Sequence, residues 1–138
     1  MGSPTAHHIG IAVEDLETMV AFYRDIFNFT VTDEFRIAGD AFSTGLGVEN
    51  LEGEFARLLI GGVLLELVEH APAHETTPVN GVIDPGSVHL AVSYDDVEAF
   101  YEELTDVDTV SEPVTTPSGT TIVFLRDPED NLVEIVSS

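Results

Sequence analysis

The 138-residue chain contains no cysteine and no lysine, and four arginines stand against 26 acidic residues, for a formal charge of −22. Without cysteine there is no disulfide, no zinc-thiolate site and no thiol nucleophile, so any metal has to sit on histidine and carboxylate. With so few cations, nucleic acid and anionic membrane surfaces are disfavoured partners, because both need Lys or Arg to displace counterions. Long apolar runs are missing too. Val63-Leu64-Leu65 and Leu67-Val68 fall far short of the roughly 20 residues that cross a bilayer. Met1-Gly2-Ser3-Pro4 has neither the basic region nor the apolar stretch of a secretory signal, and a cytoplasmic location is expected.

High net charge with low hydrophobicity would signal disorder, but 43% apolar residues and a mean hydropathy of +0.17 supply a core. The length suits one domain, or two small fused modules. Acid excess with arginine and no lysine is what a protein of concentrated salt carries, where charge keeps the surface solvated. At about 1 M salt the Debye length falls to roughly 3 Å and self-repulsion is screened. A halophilic protein is expected.

Residues 71–87 carry Pro72, Pro78, Pro85, Gly81 and Gly86, a connection between two patterned stretches. His8-Ile9-Gly10-Ile11-Ala12-Val13-Glu14-Asp15-Leu16-Glu17 aligns without a gap with His89-Leu90-Ala91-Val92-Ser93-Tyr94-Asp95-Asp96-Val97-Glu98, and Leu64-Leu65-Glu66-Leu67-Val68 resembles Leu132-Val133-Glu134-Ile135-Val136. The chain is therefore a tandem repeat, with modules at 7–70 and 88–138. Each opens with an alternating strand: Ile9, Ile11 and Val13 oppose His8, Gly10 and Ala12, and Leu90, Val92 and Tyr94 oppose His89, Ala91 and Ser93. The apolar face is expected to meet a helix, and the face of His and small residues to line a cavity.

Helical spacing follows at Leu16, Met19, Val20, Tyr23 and Phe27, and again at Val97, Phe100, Tyr101 and Leu104, each opened by acids that suit a helix N-terminus. Phe29, Val31, Phe35 and Ile37 alternate as a strand. Phe55 to Ile60 turns through Gly61-Gly62 into Val63 to Val68, a two-residue hairpin signal. In the second copy Thr120 to Leu125 reaches Leu132 to Val136 through a polar turn. Asp127 to Asn131 looks superficially like a calcium loop, but the glycine and the closing glutamate of such loops are missing, and a turn is the better reading.

Each copy thus places a histidine on its opening strand and a glutamate on its closing strand. Glu66 and Glu134 interrupt apolar strands, where a carboxylate is costly unless paired or coordinated. Modules packed face to face would bring His8, Glu66, His89 and Glu134 together, a donor set suited to a divalent metal with positions left open. The plain alternative is a pair of structural histidines beside exposed glutamates. Only five residues are histidine, however, and two of them fall at matched positions with small neighbours. His7 has Val88 as its counterpart and is expected to point to the opposite face as a non-ligand. His70 and His74 are expected to be solvated at the connection. No serine lies in a nucleophile-elbow context and no glycine-rich phosphate loop precedes a helix. A glycosidase pair of Glu66 and Glu134 would leave both histidines unexplained. Of the four arginines, Arg24, Arg36, Arg57 and Arg126, Arg57 stands on a strand that could face the site, and Phe35 or Phe42 could supply an apolar wall.

The motifs His8-Ile9-Gly10-Ile11-Ala12-Val13 with Phe22-Tyr23-Arg24-Asp25, Leu65-Glu66-Leu67, Val88-His89-Leu90-Ala91 with Asp95-Asp96, and Arg126-Asp127-Pro128 with Asn131-Leu132-Val133-Glu134 resemble the vicinal oxygen chelate superfamily (glyoxalase/bleomycin resistance/dioxygenase) over nearly the whole chain. The resemblance implies an α+β fold of paired βαβββ modules in a cupped mixed sheet. It also implies a divalent ion (Ni, Co, Zn or Mn, or Fe(II) in a dioxygenase) and a small-molecule substrate that chelates it through adjacent oxygens. Members include lyases, isomerases, ring-cleaving dioxygenases, epoxide-opening resistance enzymes and metal-free binding proteins. Glu66 discriminates among them: dioxygenases of the family use two histidines and one carboxylate, so a second glutamate implies proton transfer like that of a lactoylglutathione lyase. In that chemistry the metal stabilises an enediolate while Glu66 or Glu134 moves the proton. Modules of the family pair within a chain or across a dimer, and a homodimer is expected.

Overall fold

The structure is a computed structural model that describes residues 2–73 and 81–137. It divides into two compact units, Met1–Thr76 and Thr77–Ser138, each built on a four-stranded mixed sheet. The first unit runs β1 (His8–Ala12), α1 (Leu16–Phe27), β2 (Thr30–Ala38), α2 (Asp40–Leu46), β3 (Glu52–Ile60) and β4 (Val63–Ala71), with strand order β1-β4-β3-β2. The second runs β5 (His89–Ser93), α3 (Val97–Glu103), β6 (Val114–Thr115), β7 (Thr121–Arg126) and β8 (Leu132–Val136), with order β5-β8-β7-β6. The opening strand of each unit lies parallel to its closing strand. The fold is α+β, a βαβββ module given twice, and no helix of the described residues is long and apolar enough to cross a membrane.

Helix α1 forms where the apolar stripe predicts, burying Met19, Val20, Tyr23 and Phe27. Asp15 caps it by accepting from the Thr18 amide and hydroxyl, and these bonds hold its carboxyl below the usual range. The Glu69 carboxylate takes the Leu16 amide at 2.9 Å, which ties the start of the helix to β4. Ala56, Leu58, Leu65 and Leu67, all fully buried, form the sheet surface on the Glu69 side. Each leucine there contributes roughly 1.5–3 kcal/mol by leaving water. In the second unit Asp96 caps α3 through the Ala99 amide, and Val123, Leu125, Val133 and Ile135 make the equivalent buried surface. Leu104 is the C-cap of α3 and not part of it.

Gly61-Gly62 makes the expected hairpin, joining Ile60 to its partner Val63, with Gly61 at φ +75°, a conformation glycine adopts without steric cost. The polar stretch after β7 is a turn organised by Asp127, whose buried carboxylate accepts from the amides of Glu129 and Asn131 and from the Asn131 side chain. Two expectations for the first unit need correction. The pairing of β2 with β3 shifts between Val31 and Asp33. This bulge puts Val31 beside Leu58 on one face and Phe35 beside Phe55 on the other, so the four alternating residues do not share a face. Helix α2 also follows β2 unannounced: it buries no residue and so carries no apolar stripe to read.

Candidate functional site

Residues paired across a sheet share a face. In the first unit His8, Gly10 and Ala12 pair with Leu64, Glu66 and Val68, and Glu66 and Val68 pair with Arg57 and Phe55. These residues make up the face opposite Leu65 and Leu67, as the alternation predicts. A Cβ added to Gly10 would lie 3.8 Å from the His8 ring, an ordinary contact, so the imidazole lies back over Gly10. His8 Nε2 stands 3.4 Å from Glu66 Oε1, and the Glu66 side chain is only 10% exposed.

The second unit repeats this pair. His89 and Ala91 lie beside Leu132 and Glu134, His89 Nε2 is again 3.4 Å from Glu134 Oε1, and the glutamate side chain is 20% exposed. Each unit therefore joins one imidazole to one carboxylate. Among the described residues no group of three or more His, Cys, Asp or Glu side chains gathers in a metal-binding cluster.

The surroundings of the two pairs differ. Arg57 Nε donates to Glu66 Oε2 at 2.7 Å, and its guanidinium carbon lies 4.8 Å from the centre of the Phe35 ring. Across from Glu134 stands Phe124, packed edge-on to His89 at 5.1 Å between ring centres. The hairpin makes the Arg57 contact legible beforehand: a two-residue turn that pairs Ile60 with Val63 also sets Arg57 opposite Glu66.

His7 does not simply face away, contrary to expectation. It lies just outside β1, its Nδ1 is 2.8 Å from Nδ1 of His8, and the two rings meet edge to face. One ring donates and the other accepts; when His8 donates, its Nε2 lone pair is free toward Glu66. His70 is not a solvated loop residue. It lies within β4 opposite Gly53, with Phe42 and Phe55 beside its ring and its buried Nδ1 without a hydrogen-bond partner among the described residues. Gly53 is needed there, since a Cβ would come within 2.7 Å of the Phe55 ring. Of the two proposed wall residues, Phe35 stacks on Phe55 and lies under Arg57, while Phe42 belongs to the His70 cluster. His74 lies outside the described residues.

A model of the Glyoxalase/Bleomycin resistance protein/Dioxygenase superfamily matches residues 5–135. The chain belongs to this superfamily. A solved glyoxalase family protein from Bacillus cereus superposes with a TM-score of 0.87 at 16% identity, covering 99% of this chain and 95% of that one. A lactoylglutathione lyase from Agrobacterium tumefaciens gives 0.63 at 19% identity over 100% and 96%. A glyoxalase I variant from Zea mays gives 0.68 at 19% over 95% of this chain and 43% of that chain. No curated protein matches the sequence. At these identities the solved structures establish the glyoxalase-type fold, and what this member of the superfamily does has to be argued from its own side chains.

Proposed function

We propose that this chain is a divalent-metal-dependent lyase or isomerase that moves a proton between adjacent carbons of a small substrate with neighbouring oxygens, using His8, Glu66, His89 and Glu134 as ligands. The observation that supports this reading is one geometry present twice, an imidazole Nε2 3.4 Å from a carboxylate Oε1. Two donors about 2.1 Å from one ion at the tetrahedral angle would be about 3.4 Å apart, so each pair has the spacing of neighbouring ligands. Imidazole with carboxylate suits Ni, Co, Zn or Mn. The ion, when bound, acts as a Lewis acid that eases negative charge onto the substrate oxygens.

The chain's own residues divide the remaining tasks. Arg57 holds Oε2 of Glu66 and leaves Oε1 toward His8, which makes Glu66 the stationary carboxylate. Among the described residues no arginine pairs with Glu134, and its carboxylate is the one left to take a proton from one carbon and return it to the next. Phe124 keeps the His89 side apolar. The two pairs complete one site either within a chain or across a homodimer, and the partner this reading requires is a small molecule.

Metal analysis of protein prepared without chelators is the test. One Ni, Co, Mn or Zn per site, lost in His89→Ala, is the expected result. Absence of metal under every preparation, with an apolar small molecule retained instead, would sink the reading in favour of a binding protein of the same fold. Arg57 favours one other reading: a Glu66 committed to arginine leaves His8, His89 and Glu134 as a two-histidine, one-carboxylate set, the pattern of Fe(II) oxygenases. Oxygen-sensitive Fe(II) together with catechol cleavage would mark a ring-cleaving dioxygenase.

A further inference from the structure

We infer that Arg57 recognises an anionic group of the substrate, namely a carboxylate, and so commits the first unit to small organic acids. This deepens the proton-transfer reading and rests on it for the reaction, while the anion site itself needs no metal.

A guanidinium carries five N–H donors in a planar fork. Arg57 spends one of them, from Nε, on Glu66 Oε2 at 2.7 Å. Its two terminal nitrogens have no protein partner among the described residues. Were neutralisation of Glu66 its whole task, the stronger arrangement would be two parallel bonds to the carboxylate, yet a single N–H is used. Asp33, its register neighbour on β2, forms no ion pair with it among the described residues. The edge between Nη1 and Nη2 is therefore left for a planar, two-oxygen acceptor.

That edge is also oriented in advance. Glu66 fixes the side chain at Nε, the Phe35 ring lies against its plane, and the side chain is 27% exposed, open enough to be reached. Little rotamer freedom remains to be lost on binding, which favours affinity. The other arginines are placed differently: Arg24 pairs with Asp25, Arg36 with Glu52 and Glu54, and Arg126 bonds the Asp130 carbonyl at 3.3 Å. Arg126, the partner of Leu132, shares the face of the His89–Glu134 pair, but Arg57 alone of the four is bonded to the glutamate of its pair. A substrate carboxylate bound there would lie beside His8 and Glu66, which suits a 2-oxo or 2-hydroxy acid, in which a second oxygen neighbours the carboxylate.

The test is a titration of protein labelled with ¹⁵N-arginine, without added metal and at constant ionic strength, using pyruvate and its neutral isostere pyruvamide. The guanidinium signal missing from Arg57→Lys is expected to move saturably with pyruvate while those of Arg24, Arg36 and Arg126 stay in place. Pyruvamide should bind at least about tenfold more weakly, since hydrogen bonds to a charged partner are worth roughly that much. Arg57→Lys should weaken pyruvate binding by about tenfold, and Glu66→Gln should strengthen it by removing the competing carboxylate. The inference is overturned if the Arg57 signal does not move, if all four signals move alike, or if pyruvamide binds as well as pyruvate. If Arg57→Lys does not fold, the wild-type comparison of pyruvate with pyruvamide decides, with Arg57 assigned by its shift in Glu66→Gln. Protein that binds pyruvate at Arg57 but never a metal ion would keep the anion site and lose the proton-transfer reading; a metal-loaded protein with an unmoved Arg57 would do the reverse.

Discussion

Glu66 and Glu134 occupy one position in two copies of one module, and each stands 3.4 Å from a histidine that opens its copy. Around that shared pair the copies diverge. Opposite Glu66 on the neighbouring strand is Arg57, and opposite Glu134 is Phe124. Before His8 comes His7, bonded to it through Nδ1, where the second copy has Val88 before His89. The first pair is bonded on one side by Arg57 and on the other by His7, whereas the second has the Phe124 ring against its histidine. A repeat therefore preserves where donors are placed without preserving how firmly they are held. Firmness is set by cross-strand and preceding neighbours, which the donor motif does not specify.

The largest expected effect concerns the whole fold. Residues 1–76 carry 13 Asp and Glu against 3 Arg, and residues 77–138 carry 13 against 1, so the shorter second half bears the denser negative charge. Dialysis from molar to millimolar salt lengthens the Debye length severalfold. Hydrogen exchange and circular dichroism should then show loss of structure beginning in residues 81–137. A spectrum and exchange pattern unchanged between the two salts would remove the halophilic reading.

The second comparison is between the two glutamates. Glu134→Gln is expected to lower turnover by about 10²- to 10⁴-fold, the usual worth of a positioned proton carrier, with the metal retained. Glu66→Gln should cost much less turnover and should change metal affinity instead. Steady-state kinetics with metal titration separates the two, and equal losses of turnover would erase the division of roles.

Arg57→Met leaves the Glu66 carboxylate with His8 as its remaining partner in an environment where its side chain is 10% exposed. A loss of about 1–3 kcal/mol in urea unfolding is expected. Adding Glu66→Gln to the same chain should recover most of it, because the stranded charge is then gone. Phe124→Met, the change at the equivalent place in the second unit, should cost less than Arg57→Met and gain nothing from Glu134→Gln.

The smallest effect concerns the helix caps, where the copies agree. Asp15 and Asp96 each accept an amide three residues on. The bonds from Thr18 lower the Asp15 pKa from the ordinary 3.8, so its stabilising contribution is complete above that value and fades as pH falls below it toward the folded-state pKa. Asp15→Ala should lower Tm slightly at neutral pH, and the gap to wild type should close on acidification below 3.8. A gap that widens there would contradict the cap.

Much of this was legible beforehand because repetition and periodicity are local properties. The stripe from Leu16 to Phe27 depends on 3.6-residue periodicity, the hairpin on Gly61-Gly62, and the candidate ligands on a match between distant segments that spacing alone reveals. Helix α2 was illegible because it buries nothing, and the bulge in β2 because an extra residue leaves alternation visible on both sides while swapping the faces. His70 was misplaced for a related reason: its distance from the proline-rich connection says less than the pairing of β4 with β3, which extends through Ala71.

By itself the sequence determined the α+β module, its repetition, the histidine and glutamate of each copy, and a formal charge of −22. These rest on residue type and spacing, which chemistry and backbone geometry translate directly. The tertiary structure alone decided that His8 and His89 meet Glu66 and Glu134 at the same distance, that Phe35 lies under the Arg57 guanidinium, that only one of its N–H groups reaches Glu66, and that His7 holds His8. Those outcomes follow from parallel register, strand bulging and side-chain rotamers. The distances between His and Glu and the place of Phe35 depend on pairing between separate strands, and the single Arg57 bond and the His7 contact on rotamers that residue type and spacing do not specify.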